Sequence, residues 1–150
     1  MEDQLAELAE KEYLRACKAL ESGNGMAALL LLEAALRHHD NPQWHSMLGY
    51  CVAREQGQVA RGMELCRSSL QSFPDNPQHY YYYARLLLMS ERKEEAIEML
   101  RQGVIQGDSA AIRGLLQEIG PRKPLLFTRL HRDNPLNKYP GMLLARLGLR

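Results

Sequence analysis

The chain has 150 residues, 45% hydrophobic and 25% charged, with a formal net charge of +1. This length and composition support one folded domain with a sizeable core and exclude a wholly disordered protein. The longest apolar run, from Met26 to Leu32, is far shorter than the roughly 20 residues of a membrane-spanning helix, and the acidic start is unlike a signal peptide. We therefore expect a cytoplasmic protein.

Apolar residues at helical spacing predict seven helices in chain order. Gly, Pro and Asp-Asn clusters separate them, because these residues end helices or begin new ones. The first six are expected at about 4–22, 26–38, 43–55, 59–72, 78–89 and 93–105. The seventh is expected to be capped by Asp108 or Ser109 and to end at Ile119.

A short phrase, Asp-Asn-Pro-Gln, occurs twice, at residues 40–43 and again at residues 75–78. An Asn or Asp side chain accepts a hydrogen bond from the first free N–H groups of a helix, and Pro is tolerated at the first helical position. The phrase therefore predicts two equivalent helix starts. A period of this length indicates repeated structural units that bury their apolar faces by stacking.

The second helix of each predicted pair aligns with the next at a spacing of 34 residues. Small residues stay small and apolar residues stay apolar in these columns, which include Ala28, Gly62 and Ala96, and Leu32, Cys66 and Leu100. Small residues on facing helices allow their backbones to approach closely. The columns therefore predict tightly packed helical hairpins.

The unit resembles the tetratricopeptide repeat, a 34-residue helix–turn–helix with small residues on both helices and a Pro near its end. Residues 42–75 match best, through Leu48, Gly49, Gly57, Gly62 and Pro74. The other units are about 9–41 and 77–108. The resemblance implies an all-α fold, an α-solenoid of antiparallel helical hairpins with a C-terminal capping helix. We expect this array over residues 1–120 and a separate tail over residues 121–150.

The resemblance also implies that the first helices of the hairpins line a concave groove. Four successive tyrosines, Tyr80 to Tyr83, cannot all face one side of a helix. The repeat frame turns Tyr80 and Tyr83 towards the paired helix, and Tyr81 and Tyr82 towards the groove. Equivalent positions hold Ser46 in the second unit and Leu14 and Cys17 in the first, and Leu88 continues the face. The predicted partner-binding residues are Tyr13, Met47, Tyr50, Arg54, Tyr81, Tyr82, Arg85 and Met89.

Tyr, Met and Arg are typical of the centres of protein interfaces. The alternative is that some of these tyrosines pack between repeats with their hydroxyls in water. A carboxylate clamp of the kind found in chaperone-tail-binding members is not expected, because the groove lacks the Lys and Asn residues it needs.

No motif predicts catalysis. His38, His39 and His45 lie near Asp40, but the two adjacent histidines at a helix end are more often partners of the last carbonyls than metal ligands. Cys17, Cys51 and Cys66 lack paired metal-site spacing and predict buried, reduced thiols, and no phosphate loop or nucleophile motif is present. We expect no enzyme, no metal, no cofactor and no small-molecule substrate.

Charge divides the chain. Residues 1–110 carry a net charge of −5 and residues 111–150 carry +6. The tail, 121–150, mixes basic and apolar residues. This composition favours docking of the tail on the acidic array, within one chain or between chains, over contact with another protein. Binding of the tail to anionic lipid or nucleic acid is the least favoured.

The sequence therefore predicts a non-catalytic scaffold or adaptor that binds a protein or peptide segment. Two alternatives remain open: a surface-targeting protein whose tail binds anionic lipid or nucleic acid, and a bacterial secretion chaperone, which is similar in size and repeat number.

Overall fold

The structure is a computed structural model that describes residues 1–120, so predictions about the tail, 121–150, lie outside the described residues. The described part contains seven α-helices and one 3₁₀ turn. Their bounds are α1 Glu2–Glu21, α2 Gly25–His38, a 3₁₀ turn Pro42–Trp44, α3 His45–Gln56, α4 Val59–Ser72, α5 Pro77–Met89, α6 Lys93–Gln106 and α7 Ala110–Ile119. None of these helices is both long and apolar enough to cross a membrane.

The helices form an array of hairpins, as the sequence predicts. Helix α1 packs along α2, α3 along α4, and α5 along α6. Successive hairpins join where α2 meets α3 and where α5 meets both α3 and α4, and α7 packs against α6. The main helix contacts therefore lie within one hairpin or between successive units, which is the packing expected of a repeat protein.

Side-chain caps begin the helices at the predicted places. The Oδ1 atom of Asn76 accepts a hydrogen bond from the Gln78 N–H at 3.0 Å, and Pro77 is the first residue of α5. Ser109 caps α7 by accepting from the Ile112 N–H at 3.3 Å. Both starts confirm the mechanism inferred from the sequence.

The first copy of the repeated phrase behaves differently. Asn41 accepts from the Gln43 N–H at 3.0 Å, but Pro42–Trp44 form a 3₁₀ turn, and α3 begins at His45 rather than at Gln43. The Trp44 ring stacks on the Tyr13 ring of α1, with centroids 4.5 Å apart and an angle of 6° between planes. This contact with the preceding hairpin places the Trp44 side chain in the core.

The small residues of the predicted columns mark close helix contacts. A Cβ atom added to Gly49 would lie 2.5 Å from the Gly62 carbonyl oxygen, so the backbones of α3 and α4 touch here. A Cβ atom added to Gly103 of α6 would lie 2.8 Å from Cβ of Tyr80 on α5. No larger side chain fits either place without moving a helix.

Burial is greatest in the middle of the array. All eight residues from Ser46 to Ala53 of α3 are buried, whereas α1 buries only Ala9 and Ala16. Cys51 and Cys66 are buried free thiols, as predicted, and Cys17 is half-buried. Burial raises the pKa of the Cys51 thiol to about 12, so the thiol stays protonated at neutral pH.

Candidate binding groove

Two adjoining hollows open along the first helices of the hairpins and along α7; we call them together the groove. The first hollow encloses about 470 Å³ and the second about 380 Å³. Tyr50, Arg54 and Arg85 line both hollows, so these three side chains form the boundary between them. The first hollow is completed by side chains of α1, α5 and the start of α7: Cys17, Leu20, Glu21, Pro77, Gln78, Tyr81, Tyr82, Asp108, Ser109 and Ala111.

The four tyrosines of α5 take the orientations that the repeat frame predicts. Tyr80 packs against Gly103 of α6, and its hydroxyl donates to the Pro74 carbonyl at 2.6 Å. Tyr83 lies beside α6 and accepts a hydrogen bond from Arg67 of α4 at 3.4 Å. The other two line the first hollow.

Aromatic stacking makes Tyr50 and Tyr82 part of the wall. Their ring centroids lie 5.6 Å apart at 28°, and the Tyr81 ring meets Tyr82 edge-on at 5.3 Å and 67°. Tyr50 and Tyr82 are only 5% and 6% exposed, whereas Tyr81 is half-buried. Burial raises the pKa of the Tyr82 phenol above its ordinary range. Of the three rings, Tyr81 offers the most surface to a partner.

Arg85 is held in place by these rings. Its Nη2 atom donates to the Tyr50 hydroxyl at 2.8 Å, and its Cζ atom lies 5.3 Å from the Tyr50 ring centroid and 6.0 Å from that of Tyr81. Burial lowers the pKa of the guanidinium and the hydrogen bond to Tyr50 raises it, with a net upward shift, so Arg85 is charged. Hydrogen bonding and cation–π contact thus fix a half-buried cation.

The second cation of the groove already has an acidic neighbour. The Nε atom of Arg54 lies 3.3 Å from an oxygen of Glu55. Three carboxylates also line the groove, and of these Asp108 is ion-paired with Arg113. The other two are Glu21, in the first hollow, and Glu118, in the second.

Two residues predicted on the groove face belong to the interior instead. Met47 is 1% exposed, with its Sδ atom 4.0 Å from the Cys17 Sγ, and Ser46 is also 1% exposed. The physical reason is that α3 has neighbours on nearly every side, so fewer of its positions reach the groove than the repeat frame suggests. A partner cannot touch Met47 in this structure.

The remaining predicted residues divide between the groove and its surroundings. Met89 is 43% exposed and lines the second hollow together with Leu88. Tyr13 stacks on Trp44 and does not line either hollow, and the neighbouring Leu14 is 53% exposed. Whether these residues bind a partner stays a prediction.

Sequence reasoning missed the contribution of α7, whose start lines the first hollow with Ser109 and Ala111. A signal for it was present. Ser109 follows the Asn76 cap by 33 residues, close to the spacing between Asn41 and Asn76, which places α7 in the row of first helices.

Two of the histidines near Asp40 each lie beside one carboxylate. His45 lies 2.6 Å from Asp40, and His38 lies 3.7 Å from Glu12. Within residues 1–120, no group of three or more His, Cys, Asp or Glu side chains converges as metal ligands would.

Comparison with known proteins identifies the repeats. Two models of the tetratricopeptide repeat match the chain, one over residues 13–77 and the other over residues 53–119. Together these matches extend from α1 to the end of α7 and include every helix that lines the groove. No curated protein sequence matches the chain.

Proposed function

We propose that this chain, which belongs to the tetratricopeptide repeat family, is a non-catalytic scaffold or adaptor that holds a segment of a partner protein in the groove. Members of the family typically mediate protein–protein interaction without catalysis. The observation that carries this proposal is the first hollow. It is bordered by Tyr81 and by the fixed cation of Arg85, two residue types that concentrate binding energy at interface centres.

Preorganisation supports the same conclusion. Binding is weakened when flexible side chains must be ordered, and an Arg side chain is among the most flexible. The hydrogen bond from Arg85 to Tyr50 and the two neighbouring rings restrict this side chain before any partner arrives. The groove therefore presents a ready-made surface.

The proposed setting is the cytoplasm, where the three free cysteines would stay reduced. The two alternatives are weaker. Targeting to lipid or nucleic acid rests only on the basic and apolar composition of residues 121–150, and so does docking of the tail on the array. The secretion-chaperone alternative has no specific motif to support it.

The test compares two tyrosines of α5. A random peptide display library is selected on the immobilised full chain, and the retained clones are measured on the wild type, Tyr81→Ala and Tyr83→Ala. Both side chains are partly exposed, but only Tyr81 lines the groove. We expect Tyr81→Ala to weaken binding about tenfold or more and Tyr83→Ala to leave it near the wild-type value.

Thermal unfolding followed by circular dichroism shows whether both variants keep the fold. If a folded Tyr81→Ala variant binds the selected clones as tightly as the wild type, or if the wild type selects no clones, the groove is not the binding site.

A further inference from the structure

Arg85 differs from the other basic groups of the groove region in having no acidic partner. Arg54 has Glu55 at 3.3 Å, and Arg113 pairs with Asp108. Within residues 1–120, no carboxylate oxygen lies within 4.0 Å of the Arg85 guanidinium. The groove thus holds a positive charge that its own walls do not neutralise at close range.

The geometry of Arg85 determines what could neutralise it. The rings of Tyr50 and Tyr81 lie beside the guanidinium, and the Tyr50 hydroxyl accepts from Nη2. A guanidinium has five N–H donors in one plane, so the remaining donors point outward along its edge. A planar, two-oxygen acceptor fits such an edge best, and among protein side chains that acceptor is a carboxylate.

Both hollows that Arg85 borders have apolar side chains among their lining residues. In the first hollow the wall includes Leu20 and Ala111, and in the second it includes Leu88, Leu115 and Ile119. Because Arg85 lines both hollows, a side chain that reaches it has space for a neighbour on either side. Apolar neighbours would gain burial there.

We propose that the partner segment carries an Asp or Glu side chain that pairs with Arg85, flanked on both sides by apolar side chains that fill the two hollows. This inference rests on the proposed function and specifies the chemistry of the segment. Glu21 lines the first hollow and Glu118 the second, and the charge of Glu118 already acts on Arg85 without pairing with it. These two carboxylates disfavour further acidic residues in the segment, so a single acidic position suits the site better than an acidic run.

The experiment uses three degenerate peptide libraries with one fixed central residue, Glu, Gln or Lys, and apolar residues enriched on both sides. Each library is passed over the immobilised full chain, and the retained fraction is measured. We expect the wild type to retain the Glu library about tenfold more than the Gln library, and the Lys library least, because a hydrogen-bonded charge pair is favourable and like charges repel.

Substitutions of Arg85 and Arg67 test whether the preference for the Glu library depends on Arg85 or only on the total charge of the protein. Arg85→Gln should abolish the preference for Glu over Gln. Arg67→Gln removes the same charge from α4, where Arg67 donates to Tyr83 outside the groove, and should keep the preference. Arg85→Glu should reverse the order and favour the Lys library. A reversed order in Arg85→Glu cannot arise from partial unfolding, because unfolding lowers the retention of all three libraries alike.

The outcomes distinguish the two proposals. If retention depends on Tyr81 but the Glu and Gln libraries are held equally, the acidic anchor is wrong and the binding groove remains. If Arg67→Gln removes the preference as fully as Arg85→Gln, the anchor is again wrong. If no library is retained, or retention is insensitive to Tyr81→Ala, both proposals are wrong.

Discussion

Helices α3 and α5 each have one face against a paired helix and another face along the groove. On the paired faces the helices pack closely: the backbones touch at Gly49 and Gly62, and the Tyr80 side chain packs on Gly103. On the groove faces large side chains surround open space, as Tyr81 and Arg85 do around the first hollow. Each of these two helices therefore has one tightly packed face and one face that borders an open hollow.

Substitutions on the two faces are expected to affect different properties, namely stability on the paired face and partner binding on the groove face. A change on a paired face must move a helix or leave a cavity, so its cost appears in the free energy of unfolding. A change at an exposed groove residue removes contact area that only a partner would use. Substitutions can therefore locate the boundary between the two faces.

Tyr82 combines properties of both faces, because it lines the groove yet is only 6% exposed. We expect Tyr82→Ala to lower the free energy of unfolding by about 3 kcal/mol, since it deletes a buried ring that stacks on Tyr50. Tyr81→Ala should cost less than about 1 kcal/mol. Urea denaturation of both variants makes the measurement. Equal losses would mean that Tyr82 is not part of the core.

Gly62 lies on the paired face alone and tests how closely α3 and α4 are packed. We expect Gly62→Ala to destabilise the protein by about 2 kcal/mol, because the new methyl group would collide with the Gly49 carbonyl oxygen. Gly114 of α7 is the matched control, since a Cβ atom there meets nothing within 4 Å. Gly114→Ala should stabilise by about 0.5 kcal/mol through helix propensity. The two changes in urea midpoint should have opposite signs, and a stabilising Gly62→Ala would contradict the close contact.

His79 is a fully buried residue of α5 that faces Ser46 of α3, and we expect a change in stability there that is smaller than at Tyr82 or Gly62. Its Nδ1 atom lies 2.7 Å from the Ser46 Oγ, and its Nε2 atom has no partner within the described residues. Burial lowers the pKa of the imidazole, and Asp75 opposes that shift only in part. A protonated ring would need an acceptor at both nitrogens, so the folded state favours the neutral form.

Stability should consequently depend on pH through His79. Because its pKa is lower in the folded state than in the unfolded state, the unfolded chain binds the extra proton first as the pH falls below about 6.5. Stability should be complete above that value and decline below it. We expect a smaller decline between pH 7 and pH 5 in His79→Asn, whereas the exposed His39→Asn should match the wild type. Urea midpoints measured across that range would contradict this account if His79→Asn declined as steeply as the wild type.

Local chemistry allowed most of the fold to be predicted from the sequence. Asn76 and Ser109 begin helices through interactions with residues two or three positions away, so their role is visible in a short stretch. The late start of α3 was not visible, because Trp44 packs on Tyr13, thirty-one positions earlier in the chain. Periodicity predicts which face of a helix a residue occupies. It does not predict which side chain from a distant part of the sequence packs against that residue.

The groove shows the same limit. The period correctly oriented Tyr81 and Tyr82, since orientation follows from helix geometry. It could not show that Met47 is enclosed, because enclosure depends on how closely α1 and α3 approach. Nor could it show that Arg85 bonds to Tyr50, a contact between two repeats that depends on their exact separation.

The second and third hairpins are joined by apolar packing and by hydrogen bonds. Three of these bonds, of Ser46 with His79, of Gln43 with Asn76 and of Tyr50 with Arg85, each span about one repeat along the chain, and the bond of Arg67 with Tyr83 spans less. Contacts of such short sequence separation cost little loop-closure entropy, so the array can fold quickly and one hairpin at a time. Opening is then expected to start at the ends, and the amide protons of α3 should be the last to exchange with solvent.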